Sequence, residues 1–147
     1  MTARGRLTDQ PIDASSLASE VSDPGFGAIL MFLGVVRDVN DGRGVTGIEY
    51  LAYEAMARTQ LEAIAMEAAE RFAPANVVIV HRLGALDLQE ASVGIAVAHA
   101  HRDDAYRLSR WCIEELKRRV PIWKREHYLD GTREWVDPTH TAVGAPL

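Results

Sequence analysis

The sequence predicts an α+β fold, with a largely antiparallel or mixed sheet, flanking helices and a small C-terminal region of short strands. Two observations carry this. Strand-like segments come in adjacent, hairpin-like pairs, 27–36 with 45–53 and 76–83 with 92–100, and no helical pattern interrupts either pair. The two long helical patterns, 55–72 and the stretch after 101, each follow such a pair, whereas a doubly wound parallel sheet needs strict alternation of strand and helix. At 147 residues the chain is long enough for a real core, and one domain over 1–147 is expected, with residues 1–11 and 138–147 as flexible ends.

Each element has its own signal. Residues 1–11 are polar and irregular, which reads as a loose segment. Asp13 to Val21 suits a short helix capped by Asp13, with Leu17 and Val21 as its apolar positions. Asp23-Pro24-Gly25 marks a turn. The near-continuous apolar run Gly27 to Val36 reads as a strand buried on both faces. It leads into Arg37 to Gly44, a polar, glycine-bearing loop. Val45 to Tyr53 alternates as a second strand. Ala55 to Phe72 carries Leu61, Ile64, Ala65, Ala68 and Phe72 at helical spacing, and Pro74 ends it. Asn76 to Leu83 is a third strand, Gly84 to Glu90 turns the chain, and Ser92 to Ala100 is a fourth. A second long helix follows, with Asp103 as cap and Ala105, Leu108, Cys112 and Leu116 as its stripe. Pro121 stops it, since the residue before a proline is pushed toward extended geometry. Ile122 to His127 and Arg133 to Val136 read as short strands joined around Asp130-Gly131.

Bulk composition narrows the function. The chain is 48% hydrophobic and 25% charged, as in a soluble globular protein. A net charge of −5 argues against nucleic-acid binding. No charged start precedes an apolar run, and the apolar run at 27–36 is too short to span a bilayer, so neither secretion nor a membrane is expected. The single cysteine, Cys112, excludes an intramolecular disulfide and a multi-cysteine metal site, and a cytoplasmic location is the default. Charge is nonetheless uneven. Residues 101–126 carry a net +3, leaving −8 for the remainder. A small basic island in an acidic chain suits one specific anion.

Within that island lie the only two lysines among sixteen basic residues, Lys117 and Lys124, seven apart. Arginine keeps its charge and grips anions with a planar fork, whereas a lysine amine loses its proton readily on burial and can exchange protons or act as a nucleophile. Lys124 and Glu126 share one face of an extended segment. Arg37 ends the first apolar strand, and His101 and Arg102 lie where a strand gives way to a helix. A pocket of Arg37, His101, Arg102, Lys117 and Lys124 would suit a phosphate-bearing anion. Blander readings stand beside this one. Lys117 also complements a helix C-terminus, Glu126 also pairs with a lysine, and Arg107, Arg110 and Arg118 read as a solvated helix face. His81 and His99 read as structural. His127 and His140 carry no signal. Cys112 lies on the apolar stripe and reads as core.

The segments Phe32-Leu33-Gly34-Val35-Val36-Arg37, Tyr53-Glu54-Ala55-Met56, His81-Arg82-Leu83-Gly84, Ala100-His101-Arg102 and the run Lys117 to Glu126 resemble the large, catalytic subunits of molybdopterin synthase, the MoaE family. The resemblance extends from Gly25 to Val136. It implies an α/β hammerhead fold and a central homodimer. A small ubiquitin-like sulfur-carrier subunit docks at each end to make a heterotetramer. The carrier ends in a Gly-Gly thiocarboxylate, and its sulfur converts cyclic pyranopterin monophosphate to molybdopterin. By resemblance Lys117 and Lys124 are the catalytic lysines. Arg37, His101, Arg102, Arg125 and Glu126 join them as substrate-binding positions. The family builds its pocket partly across the dimer interface, and Arg133 is a candidate contribution from the other subunit. No metal and no cofactor are implied. The loop Asp38 to Gly44 and the pair Ala55-Met56 depart from the family pattern, and the first ten residues match nothing in it. Two other readings compete with the sulfurtransferase. One is a non-catalytic module that holds a phosphorylated metabolite or a partner's tail, against which the lysine pair argues. The other is a persulfide carrier built on Cys112, against which its apolar position argues.

Overall fold

The computed structural model describes residues 1–136. The expected flexible end at 138–147 lies outside the described residues. In chain order the elements are β1 (Ala3–Thr8), α1 (Ala14–Val21), β2 (Ala28–Val35), β3 (Val39–Asn40), β4 (Arg43–Ala52), α2 (Glu54–Arg71), β5 (Ala75–Arg82), β6 (Gly84–Asp87), β7 (Ala91–His99), α3 (Arg102–Arg119), β8 (Ile122–Tyr128) and β9 (Arg133–Val136). The α+β class read from the sequence is the class observed.

The strands form two sheets. The first has the order β1-β5-β7-β2, with β1 parallel to β5 and the other neighbours antiparallel. Alternation along β5 and β7 divides its residues between two cores. Val77, Ile79, Val93, Ile95 and Val97 face the larger core with α2 and α3, and Val78, Val80, Ala96 and Ala98 face Leu17 and Val21 of α1. Each fully buried aliphatic side chain of this kind contributes about 1.5–3 kcal/mol, which is how a helix as short as α1 stays docked. Asp13 caps α1 as expected, accepting hydrogen bonds from the Ser15 and Ser16 amides. The second sheet runs β3-β4-β8-β9, with β6 paired to β4 as well.

Several expectations are corrected. Residues 1–11, read as loose, supply β1, whose backbone pairs with β5 from Ala3↔Val77 to Thr8↔Arg82. The polar side chains that suggested a loop project outward while the ladder is made by backbone groups, which composition does not report. The apolar run at 27–36 is an edge strand rather than one buried on both faces. Ile29 is 45% exposed, Leu33 39% and Val35 41%. Nor do β2 and β4 form a hairpin, because they belong to different sheets. The loop 37–44 contains β3, which folds back on β4 through Asp41 and Gly42, both at positive φ, as a tight two-residue turn demands. The turn at 84–90 contains β6. Helix α3 begins at Arg102 with His101 in the cap position and no side-chain cap bond, so Asp103 and Asp104 complement the helix dipole from the first turn instead.

The N-terminal strand is packed tightly. A β-carbon on Gly5 would lie 2.2 Å from the Leu61 carbonyl carbon and 2.6 Å from the Glu62 backbone nitrogen, so α2 crosses β1 at a distance only glycine allows. Gly5→Ala is expected to destabilise the protein by about 1–3 kcal/mol or more, the cost of overpacking against backbone. Urea unfolding against wild type measures it. A wild-type midpoint would mean that β1 is not integral to the fold.

Candidate active site

Helix α3 and strand β8 meet at Pro121, and that joint brings the two lysines together. Val120, the residue before the proline, is extended, at φ −88° and ψ 121°. The chain then pairs with β4, setting Lys124 opposite Tyr50 and Glu126 opposite Ile48. Lys117, in the last turn of α3, lies near enough for the two charges to influence each other. Burial first, and then the charge of Lys124, pushes the Lys117 amine down to about 8. Among the described residues no carboxylate pairs with Lys117.

Lys124 is held differently. Its Nζ lies 3.3 Å from Glu126 Oε1, and its side chain is only 12% exposed. Glu126 is 1% exposed, so its charge must be satisfied internally. Asn40 Nδ2 donates to both carboxylate oxygens at 2.8 Å, and the Tyr128 hydroxyl donates to Oε2 at 2.7 Å. Burial pushes the Glu126 carboxyl up, but the hydrogen bonds from Asn40 and Tyr128 and the charge of Lys124 outweigh it and hold the group below its usual range. Burial and the Glu126 carboxylate raise the Tyr128 phenol to about 12, so it stays a donor.

Arg37 lies two residues beyond the end of β2 and lines a small cleft with Val39, Asn40, Val45, Ile48, Lys124 and Glu126. Its guanidinium is exposed, available to a ligand in solution. Behind the lysines, His81 packs edge-on against Tyr50, with ring centroids 5.2 Å apart. Burial, and secondarily the charge of Lys117, pushes His81 down to about 4, so the ring is neutral and donates from Nδ1 to the Arg82 carbonyl at 2.9 Å. His81 is structural in its packing, and it lies close enough to Lys117 to feel its charge.

One chain therefore brings together Arg37, Lys117, Lys124 and Glu126. It does not bring the other sequence candidates to them. His101 and Arg102 lie at the opposite end of α3, about 24 Å from Lys117 at helical rise. There the His101 amide donates to His99 Nδ1 at 3.2 Å, and Arg102 is exposed. Arg125 alternates to the other face of β8, where its Nε donates to Glu49 at 3.1 Å and its guanidinium stacks over Trp135. Arg133 pairs in register with His127 on β9, on the face of Arg125. Asn40, Tyr50 and Tyr128 were not singled out from the sequence. Tyr128 was within reach, two residues beyond Glu126 on the same strand face, but nothing local marks Asn40, whose partner is 86 residues away.

Cys112 is fully buried, and burial raises its thiol to about 12. A neutral, enclosed thiol is a poor nucleophile. Among the described residues no cluster of three or more His, Cys, Asp and Glu side chains is arranged to hold a metal, and no helix is long and apolar enough to cross a membrane.

Comparison with known proteins gives the family. The family model described as MoaE protein matches residues 7–119, more than half of the chain. A molybdopterin synthase catalytic subunit from Halalkalibacterium halodurans is 40% identical over 147 residues, covering 97% of this chain and 94% of its own length. One from Emericella nidulans is 41% identical over 129 residues, covering 88% of this chain, which spans only 66% of that longer fungal protein. The crystal structure of molybdopterin synthase from Staphylococcus aureus superposes with a TM-score of 0.84 at 35% identity, covering 88% of this chain and 94% of that one. With the lysine pair and the family's fold both in place, the chain belongs to the MoaE family.

Proposed function

We propose that this protein is the catalytic subunit of a molybdopterin synthase. It is a sulfurtransferase that converts cyclic pyranopterin monophosphate to molybdopterin with sulfur from the C-terminal thiocarboxylate of a small carrier subunit. The observation that carries this reading is Lys124 lining one cleft with Arg37, with the half-buried Lys117 amine close enough to feel its charge. In each transfer the thiocarboxylate sulfur displaces an oxygen substituent of the pterin to give a thioester, and water then cleaves the acyl–sulfur bond, leaving sulfur on the pterin and the carrier tail as a carboxylate. Addition of water at the acyl carbon generates an oxyanion and releases a proton. The Lys124 ammonium, held by Glu126, is a fixed positive charge for the oxyanion. Lys117, lowered to about 8, is the amine suited to take the proton near neutral pH. Arg37 supplies a fork for the phosphate. A binding module would need neither a lowered amine nor its separation from a permanently paired one.

The place of His101 and Arg102 follows if the working unit is a homodimer. Both residues adjoin the N-terminal end of β2, where Ala28 pairs with His99, and Arg37 adjoins its C-terminal end. Strand β2 has a neighbour on one side only among the described residues, and it exposes Ile29, Leu33 and Val35. Eight residues of strand span about 26 Å, close to the separation of the two ends of α3. Two copies set antiparallel along β2 would therefore bring His101 and Arg102 of one copy toward Arg37 of the other, completing two equivalent sites. A carrier on each catalytic subunit then gives the heterotetramer.

Reconstitution with a thiocarboxylated carrier and the pyranopterin, with the dithiolene product as readout, tests the assignment, and absence of product would reject it. The rate is expected to rise with pH through about 8, because the proton-accepting form of Lys117 is the neutral amine. Lys117→Arg should be nearly inactive and lose that inflection, since a guanidinium does not titrate there. A fully active arginine variant would remove amine chemistry from Lys117.

Mixing Lys117→Ala and His101→Ala homodimers, each inactive alone, should restore about a quarter of wild-type sites after subunit exchange, because only the mixed dimer holds one intact composite site. Activity that stays at the level of the separate variants would place His101 outside the partner's site. Cys112→Ala should keep its turnover, with a stability loss of about 1 kcal/mol or more from the cavity it leaves. A folded but inactive Cys112→Ala would return the persulfide reading.

A further inference from the structure

Glu126 shares its strand face with Lys124 and lies in the wall of the cleft, yet almost none of it reaches solvent. It is 1% exposed, and its oxygens are taken by Asn40, Tyr128 and Lys124. A group so enclosed meets a substrate only through what it holds. The three partners come from two elements. Asn40 belongs to the β3–β4 hairpin, and Tyr128 and Lys124 lie two residues to either side of Glu126 on β8. Tyr128 is itself anchored, since Arg43 lies over its ring at 3.5 Å while pairing with Glu134 at 3.1 Å. Leu129 closes on Gly44, where an added β-carbon would lie 2.1 Å from Leu129 Cδ1. The hairpin that carries Asn40 is thus strapped to β8 and β9 from both sides, and Arg37 leads into the same hairpin.

We propose that Asn40 and Tyr128 are positioning residues of the sulfur-transfer site, clamping the Glu126 carboxylate so that it holds the Lys124 ammonium at the mouth of the cleft. This rests on the sulfurtransferase reading for its consequence and on the hydrogen bonds alone for its geometry. Asn40 supplies a donor to each carboxylate oxygen, and Tyr128 supplies a third. With all three in place the carboxylate is held, and so is the oxygen it presents to Lys124. Without them the buried charge turns toward Lys124 or toward water, and the ammonium moves with it. In a positioning role neither residue contributes to pterin binding, so their loss should slow transfer with pterin affinity unchanged.

Two readouts test this. The first needs no substrate. Lys117 and Lys124 are the only lysines in the chain, so competitive acetylation followed by peptide mass spectrometry reads each amine separately. In the full-length protein, Lys124 should react several-fold faster in Tyr128→Phe and Asn40→Ala than in wild type. An unchanged Lys124 reactivity in both would overturn the clamp, whatever the protein's activity. The second is single-turnover transfer with thiocarboxylated carrier at saturating pterin. Tyr128→Phe keeps the ring under Arg43 and removes one donor, and its rate should fall about tenfold with pterin Kd unchanged. Asn40→Asp should be slower than Asn40→Ala, because an isosteric carboxylate sets like charge against Glu126. A space-filling role would rank them the other way, and that ranking would overturn the proposal. So would a weakened Kd with an unchanged saturating rate, which would make these residues substrate contacts. Should Tyr128→Phe not fold, the Asn40 pair decides. A wild-type protein that makes no product would reject the sulfurtransferase reading while leaving the labelling result to judge the clamp.

Discussion

A carboxylate taken out of water must be given partners, and Glu126 is the buried charge around which this site is organised. Removing one partner from a buried ion pair costs about 3–5 kcal/mol, because the remaining charge is left uncompensated. Satisfying it here recruits the β3–β4 hairpin through Asn40 and strand β8 through Tyr128 and Lys124. Arg37 leads into the hairpin and Lys124 lies on the strand, so the ionic demands of one side chain bring an exposed guanidinium and a lysine amine into one cleft. The alternation of β8 sends Arg125 to the opposite face, where Glu49 and Trp135 engage it.

The second constraint is the proline joint. A lysine at the end of α3 and another on β8 would be separate features if the helix ran on. Pro121 forces Val120 into extended geometry and turns the chain directly into the ladder with β4. The two ammonium groups then share one region with unequal support. Lys124 has a carboxylate, whereas Lys117 is half-buried beside a neutral His81. That asymmetry gives two chemically identical side chains different surroundings, and burial followed by the charge of Lys124 lowers the Lys117 amine to about 8.

Much of the architecture was readable because it depends on local patterning. The stripes of α2 and α3, the valine-rich β5 and β7, the Asp13 cap and the breaks at Pro74 and Pro121 all follow from side chains close together in the chain. The misreadings share one cause. β1 and β6 are held by backbone pairing to strands distant in sequence and β3 by a tight hairpin onto β4, and polar composition conceals all three. An apolar run such as 28–35 looks alike at the centre of a sheet and at its edge, since only neighbouring strands decide its exposure.

The same division holds for the site. The choice of lysine over arginine at 117 and 124, the shared face of Lys124 and Glu126, the helix-ending proline and the apolar setting of Cys112 are properties of residue type and spacing, and the sequence carries them without the fold. The tertiary structure alone decided which candidates meet. It joined Arg37 to Lys124, set His101 and Arg102 at the far end of an 18-residue helix, and set Glu126 against Asn40. The physical reason is range. Periodicity and propensity act over a few residues, whereas burying a charge joins whichever distant donors the packed sheets place beside it, and no local pattern records that pairing.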